Sequence, residues 1–141
     1  MTTLITLSKL SLMAMQYLGV PYVWGGDNPK TGFDCSGFVQ RALADCNMYA
    51  FDRDRTSQTL YHYFKSRGLR SGIETDSVLF FGKDVDHITH IAIALNDELM
   101  IEAGGGDSST TQNNTHLRSD ARVRIKPINL RSDLVASLVI K

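Results

Sequence analysis

Disulfide bonds cannot hold this chain together. Its 141 residues include only two cysteines, Cys35 and Cys46. If both lie on one helix they sit about 16 Å apart along its axis, beyond the reach of a bridge. Net charge is also missing, because fifteen basic residues cancel fifteen acidic ones. No global field therefore draws the chain to nucleic acid or to an anionic membrane. No apolar run approaches the roughly 18 residues that span a bilayer. The N-terminus lacks a basic region, Lys9 interrupts its apolar positions, and no small-residue cleavage site follows. It does not read as a secretory signal, so synthesis in the cytoplasm is expected. The cysteines and four histidines show no zinc-site spacing, and no metal or other cofactor is expected.

What is present suits an ordinary folded domain. Hydrophobic residues make up 43% of the chain, enough for a core. The length fits one domain over residues 1–141, with no internal repeat or linker. The C-terminal part is locally basic through Arg118, Arg122, Arg124, Lys126 and Arg131. Arg122, Arg124 and Lys126 alternate with Val123, Ile125 and Pro127, which reads as a solvated strand face.

Chemistry concentrates around Asp34-Cys35-Ser36-Gly37. Cys35, Phe38, Val39, Ala42, Leu43 and Cys46 follow the 3.6-residue period of one helical face. Asp34 fits the N-cap, its carboxylate accepting from N–H groups of the first turn. A thiol just inside a helix N-terminus meets the positive end of the dipole, which favours the nucleophilic thiolate. Cys46 reads as a small buried hydrophobe. Upstream, Leu7, Leu10, Ala14, Tyr17 and Leu18 form a helical stripe that Gly19 and Pro21 end. A further helix is expected over 56–67, capped by Thr56 and closed by Gly68. Strands are expected over 78–81, 88–95, 99–103, 122–128 and 134–140. The fold class is α+β, with N-terminal helices packed on an antiparallel sheet.

Gly19-Val20-Pro21-Tyr22-Val23-Trp24-Gly25-Gly26 and Phe33-Asp34-Cys35-Ser36-Gly37-Phe38-Val39 together resemble the NlpC-type cell-wall cysteine peptidases. The resemblance continues at Val78-Leu79-Phe80-Phe81, Thr89-His90-Ile91-Ala92-Ile93 and Met100-Ile101-Glu102-Ala103. It implies a papain-like fold with Cys35 as nucleophile, His90 as base and Glu102 as third residue. It also implies that Tyr22, Asp34 and Ser36 line the substrate site. There Asp34 and Ser36 would hold a stem peptide's free amine, and Tyr22 would lie near the oxyanion site with the Cys35 backbone N–H. The implied reaction is cleavage of peptidoglycan stem peptides between γ-D-glutamate and the following diamino acid. The chain departs from the family in three places. Ala92 stands where a glycine is usual, Glu102 where His, Asn or Gln is usual, and Glu74-Thr75-Asp76-Ser77 where Pro-Gly-Asp is usual.

The residues themselves leave a choice of base. His62 lies in a tyrosine-rich helix and reads as a packing residue, while His116 follows a polar loop and reads as exposed. His87 precedes a strand and is the rival of His90, which opens the rigid apolar run 91–95. Glu102 shares a face with His90 if the connecting turn has three residues, at 95–97 or 96–98. A two-residue turn puts it on the other face, where it is only a sheet-edge glutamate. Trp24 reads as a core aromatic. Rival functions on the same fold are an amidase or acyltransferase, including a toxin, and a non-catalytic phage-tail or wall-binding component. A monomer is expected, reaching the wall after lysis, in a phage particle or by dedicated secretion.

Overall fold

The computed structural model describes residues 8–49 and 54–140. Along the chain run α1 (Lys9–Met15), a small hairpin of β1 (Asp27–Asn28) and β2 (Gly32–Phe33), α2 (Cys35–Asp45) and α3 (Ser57–Ser66). The strands β3 (Ser77–Gly82), β4 (Ile88–Ala94), β5 (Leu99–Gly104), β6 (Arg122–Pro127) and β7 (Leu134–Val139) follow. They form one sheet in the order β6-β5-β4-β3-β7, with every neighbouring pair antiparallel. The α+β order expected from the sequence is the order observed.

Each helix starts where a short polar side chain can satisfy its first turn. Ser8 accepts from the Ser11 N–H at 3.0 Å, Asp34 from Gly37 at 2.7 Å and Thr56 from Thr59 at 3.2 Å. The N-terminal stripe is shorter than the sequence suggests. Leu10, Ala14 and Tyr17 are buried, but Leu18 is 43% exposed, because α1 has already ended and the helical period no longer applies. Leu7 lies outside the described residues. The 122–128 strand stops one residue early, and Ile128 opens a 3-10 turn.

Helix α2 carries the core. Its Phe38, Val39, Ala42 and Leu43 are fully buried in a cluster with Val78, Phe80, Ile91, Ile93 and Ile101 of the sheet. Each large apolar side chain buried this way contributes about 1.5–3 kcal/mol. The alternate strand positions Leu79, Phe81, Ala92, Ala94 and Met100 form a second, smaller cluster with Ile128. Burial on both faces explains why β3 and β4 read as nearly continuous apolar runs. His90 and Glu102 belong to the parity of this second face.

The segment around Glu74-Thr75-Asp76-Ser77 still makes its turn. Asp76 adopts φ 73°, its N–H donates to Ala94 O at 2.9 Å, and its carboxylate accepts from the Ser8 hydroxyl at 2.7 Å. Asp tolerates this left-handed backbone better than most residues.

The start of α2 is fixed by close backbone approach. The Asp34 N–H donates to Gly26 O at 2.9 Å, and a Cβ on Gly37 would collide with that same carbonyl. Gly37→Ala should therefore lower stability by about 1–3 kcal/mol through forced displacement of the helix start. Urea unfolding measures it. A midpoint equal to wild type would show that α2 and the 20–33 loop are not in register through this contact.

Candidate active site

The site begins with a turn. Asn96 Oδ1 accepts from the N–H groups of Glu98 and Leu99 at 2.8 and 2.7 Å, and the Leu95 N–H donates to Leu99 O. Residues 96–98 thus make a three-residue connection, and Ile93 pairs with Ile101. One step further along this register sets Glu102 opposite Ala92, on the His90 face. The His90 Nε2 and Glu102 Oε1 lie 2.7 Å apart. Glu102 is 1% exposed, and β5 is an interior strand, so the sheet-edge reading does not apply.

The second oxygen of Glu102 meets a residue that the sequence reading misplaced. Arg124 is the direct cross-strand partner of Glu102 on β6. It donates from Nε at 2.9 Å, and its Nη2 lies 2.8 Å away, both to Glu102 Oε2. Its Nη1 bonds Asp120, and its side chain is only 13% exposed. The expectation of a solvated face therefore holds for Arg122 and fails for Arg124. Alternation in sequence shows that 122, 124 and 126 share a face, but not that this face continues the row of His90 and Glu102.

Cys35 is half-buried at the first position of α2, packed against the core on one side. It lines the same cavity as the His90 ring, and the two groups interact electrostatically. Glu102 takes Nε2, which leaves Nδ1 for the thiol. A cavity of about 300 Å³ opens over these groups, lined also by Tyr22, Trp24, the 104–108 loop, Arg124 and Arg131. Tyr22 is 4% exposed, and its ring abuts Gly106 so closely that any side chain there would collide with it. Trp24 is 58% exposed at the rim, correcting the core assignment: its N–H is tied to Thr110 O at 2.8 Å, and its ring reaches solvent. Arg131 is held by two bonds to Asp133 and lies over the Phe81 ring. A larger cavity of about 600 Å³ shares Arg131 but contains neither thiol nor imidazole.

The other expected residues lie apart. Asp34 and Ser36 stand beside Cys35 in sequence but outside the cavity lining, with the Ser36 hydroxyl donating to Asp34 Oδ1 at 3.2 Å. His87 is exposed and paired with Asp84, and His116 is exposed in a short 3-10 turn. His62 is exposed too, against the packing role expected of it, because it sits on the outer side of α3 beside Gln58. Among the described residues, no group of three or more His, Cys, Asp or Glu side chains is placed to hold a metal ion.

Electrostatics follow from this burial. Desolvation alone would pull the His90 imidazole down, but bonds and charge from Cys35 and Glu102 raise it to about 9. Burial pushes the Glu102 carboxyl up, and His90, then Arg124, more than reverse this, leaving it below the usual carboxylate range. Burial, then the charges of Cys35, Asp34 and Asp107, raises the Tyr22 phenol and keeps its proton in place. Burial also raises Asp34, against bonds from Gly37 and Ser36.

A raised imidazole adds stability that is complete below its ordinary value of 6.5 and lost as pH rises through about 9. The urea midpoint of the wild type should fall over that interval. Cys35→Ala removes one partner of the imidazolium and should flatten the fall. Parallel profiles for the two proteins would show that Cys35 does not hold the proton on His90.

The model of the NlpC/P60 family matches residues 19–125. The chain is 36% identical over 91 residues to the bifunctional muramidase/DL-endopeptidase CwlT of Bacillus subtilis, covering 64% of this chain and 27% of that protein. It is 38% identical over 80 residues to the murein DD-endopeptidase MepH of Escherichia coli, covering 56% of this chain and again 27% of the relative. The chain thus spans about a quarter of the length of these curated relatives. An NlpC/P60 family protein from Bacillus cereus has the same fold, with a TM-score of 0.68 at 21% identity over 94% of this chain and 39% of that one. The NlpC/p60 domain of the peptidoglycan hydrolase SagA superposes with a TM-score of 0.63 at 22% identity, covering 92% of this chain and 95% of that domain. With the family model matching most of its length, this chain belongs to the NlpC/P60 family.

Proposed function

We propose that this protein is a cysteine endopeptidase acting on peptidoglycan stem peptides. One observation carries the reading: a buried imidazole bonded to an ionised carboxylate, lining one cavity with a thiol at a helix N-terminus. That arrangement supplies a nucleophile, a proton carrier and an orienting group. The substrate class comes from the relatives, whose names specify murein and DL- or DD-endopeptidase activity.

In the proposed reaction the Cys35 sulfur attacks the scissile carbonyl carbon. The Cys35 backbone N–H and the protonated Tyr22 phenol face the developing oxyanion. His90 gives its proton to the leaving amine as the C–N bond breaks, leaving a thioester on Cys35. His90 then takes a proton from water, which attacks the thioester and frees the acid and the thiol. Asp34, partly exposed beside Cys35 though outside the cavity lining, pairs with the peptide's free amine, with Ser36 donating to it. The bond is the one between γ-D-glutamate and the diamino acid. The protein works as a monomer on the wall, reached by lysis, a phage particle or secretion.

Mass spectrometry of muropeptides incubated with the protein tests this directly. New free amines should appear at the diamino acid linked to D-glutamate, and Cys35→Ala should release none. Cleavage only at cross-links would replace the bond assignment, and no cleavage of any muropeptide would reject the peptidase reading. His90→Ala should cost about 10²–10⁴-fold in turnover, with His87→Ala near wild type. Iodoacetamide should label Cys35 before Cys46, whose burial raises its thiol. Faster labelling of Cys46, read by peptide mass spectrometry, would count against an activated Cys35.

A further inference from the structure

The mechanism above uses one oxygen of Glu102 and leaves the other to Arg124. We infer that Arg124 is a positioning residue for this reaction, fixing Glu102 as a carboxylate and holding it in the rotamer whose Oε1 grips His90. The inference rests on the peptidase reading for its consequence in turnover, and on geometry alone for its consequence in Glu102.

Three observations carry it. First, Glu102 and Arg124 face each other directly across β5 and β6, so the pairing is built into the sheet register rather than into a flexible surface contact. Second, the two donors of Arg124 converge on Oε2 at 2.9 and 2.8 Å, while Oε1 is 2.7 Å from His90. The carboxylate is therefore gripped from both sides, and its torsion is set. Third, Arg124 is itself anchored, since Nη1 bonds the Asp120 backbone carbonyl and carboxylate, and Lys126 lies 3.1 Å from that carboxylate. Signs alternate outward from His90 through Glu102, Arg124 and Asp120 to Lys126.

A further constraint guards the pairing. A side chain at Gly104 would press on both the Glu102 carboxylate and the Arg124 guanidinium. The backbone here leaves room for this pair and nothing else.

The charged groups around Glu102 are His90 on β4, Arg124 on β6 and Arg131 from the segment after β6, with Cys35 behind the imidazole. Arg131 is already engaged by Asp133, so Arg124 is the cation bonded to this carboxylate. Removing it leaves a carboxylate with 1% exposure facing one hydrogen-bond partner. Such a group takes up a proton at higher pH, and once neutral it no longer stabilises an imidazolium.

Carbon-13 NMR of the glutamate side-chain carboxyls reads this without any substrate, with Glu102→Gln supplying the assignment. In Arg124→Met, Glu102 should protonate at least about one pH unit above wild type, tenfold or more in proton affinity. Arg124→Lys keeps the charge but not the two-pronged grip, and should fall between. Turnover should show its acid limb moved up by the same interval, with kcat reduced and KM unchanged. In the Glu102→Gln background, Arg124→Met should add no further loss. An unmoved Glu102 midpoint in a folded Arg124→Met protein overturns the inference, as do losses that multiply in the double variant. Should Arg124→Met fail to fold, Arg124→Lys decides by the same reading: an upward shift supports the inference and an unmoved midpoint overturns it. Failure of the peptidase reading leaves the NMR result standing, so the two are told apart.

Discussion

The buried carboxylate of Glu102 is the constraint on which the rest of the site depends. Moving an isolated ionised carboxylate out of water costs far more than a small domain can spare, so such groups survive only when paired and hydrogen-bonded. Here the pairing is on both oxygens, with His90 on one and Arg124 on the other. The imidazole is raised to about 9 partly because this carboxylate stays ionised beside it. His90 is therefore held charged and aimed by Glu102, as the proposed proton transfer to a leaving amine requires.

The scaffold delivers the partners to that carboxylate by rigid means. His90, Glu102 and Arg124 come from three neighbouring strands, where side-chain direction is set by the pleat and register by the 96–98 turn. Cys35 comes from the opposite kind of element, a helix start. It is held by the Asp34 cap and by the contact between Gly37 and the Gly26 carbonyl. The tolerances are small on both sides, since a one-residue slip of β5 would turn Glu102 away from His90. The cavity wall is completed by the Gly104-Gly105-Gly106 run, where Gly106 gives the Tyr22 ring its place.

Most of the architecture was legible in the sequence because its signals are local. Caps at Asp34 and Thr56, apolar periods of 3.6 and near-continuous strand runs all act within a few residues. The same locality explains the misses. The hairpin of β1 and β2 rests on two-residue strands, too short for any periodic signal. Leu18 and His62 were misjudged because one residue beyond a helix, or one position around it, changes burial entirely. Trp24 was judged by type, and its exposure depends on where the 104–116 loop crosses it. Cys35, His90 and Glu102 were brought together by motif order and turn length. Arg124 was not, because β5 and β6 are joined by a long loop that fixes no register in advance.

The carboxylate at position 102 and the presence of Arg124 are two aspects of one electrostatic solution. A neutral amide or imidazole at position 102 would bury no negative charge there. A carboxylate there is 1% exposed, and a low-dielectric site penalises its charge heavily unless it is paired. One guanidinium in the facing strand supplies that pairing, and its planar fork also fixes the carboxylate's torsion in a way that a lysine's single ammonium does not. The alternation of sign continues through Asp120 and Lys126, both more exposed than Arg124, where water takes over the screening. A glutamate at this position is thus compatible with the fold because β6 supplies the arginine opposite it. Without that partner, the same substitution would favour a neutral acid and a less firmly charged histidine.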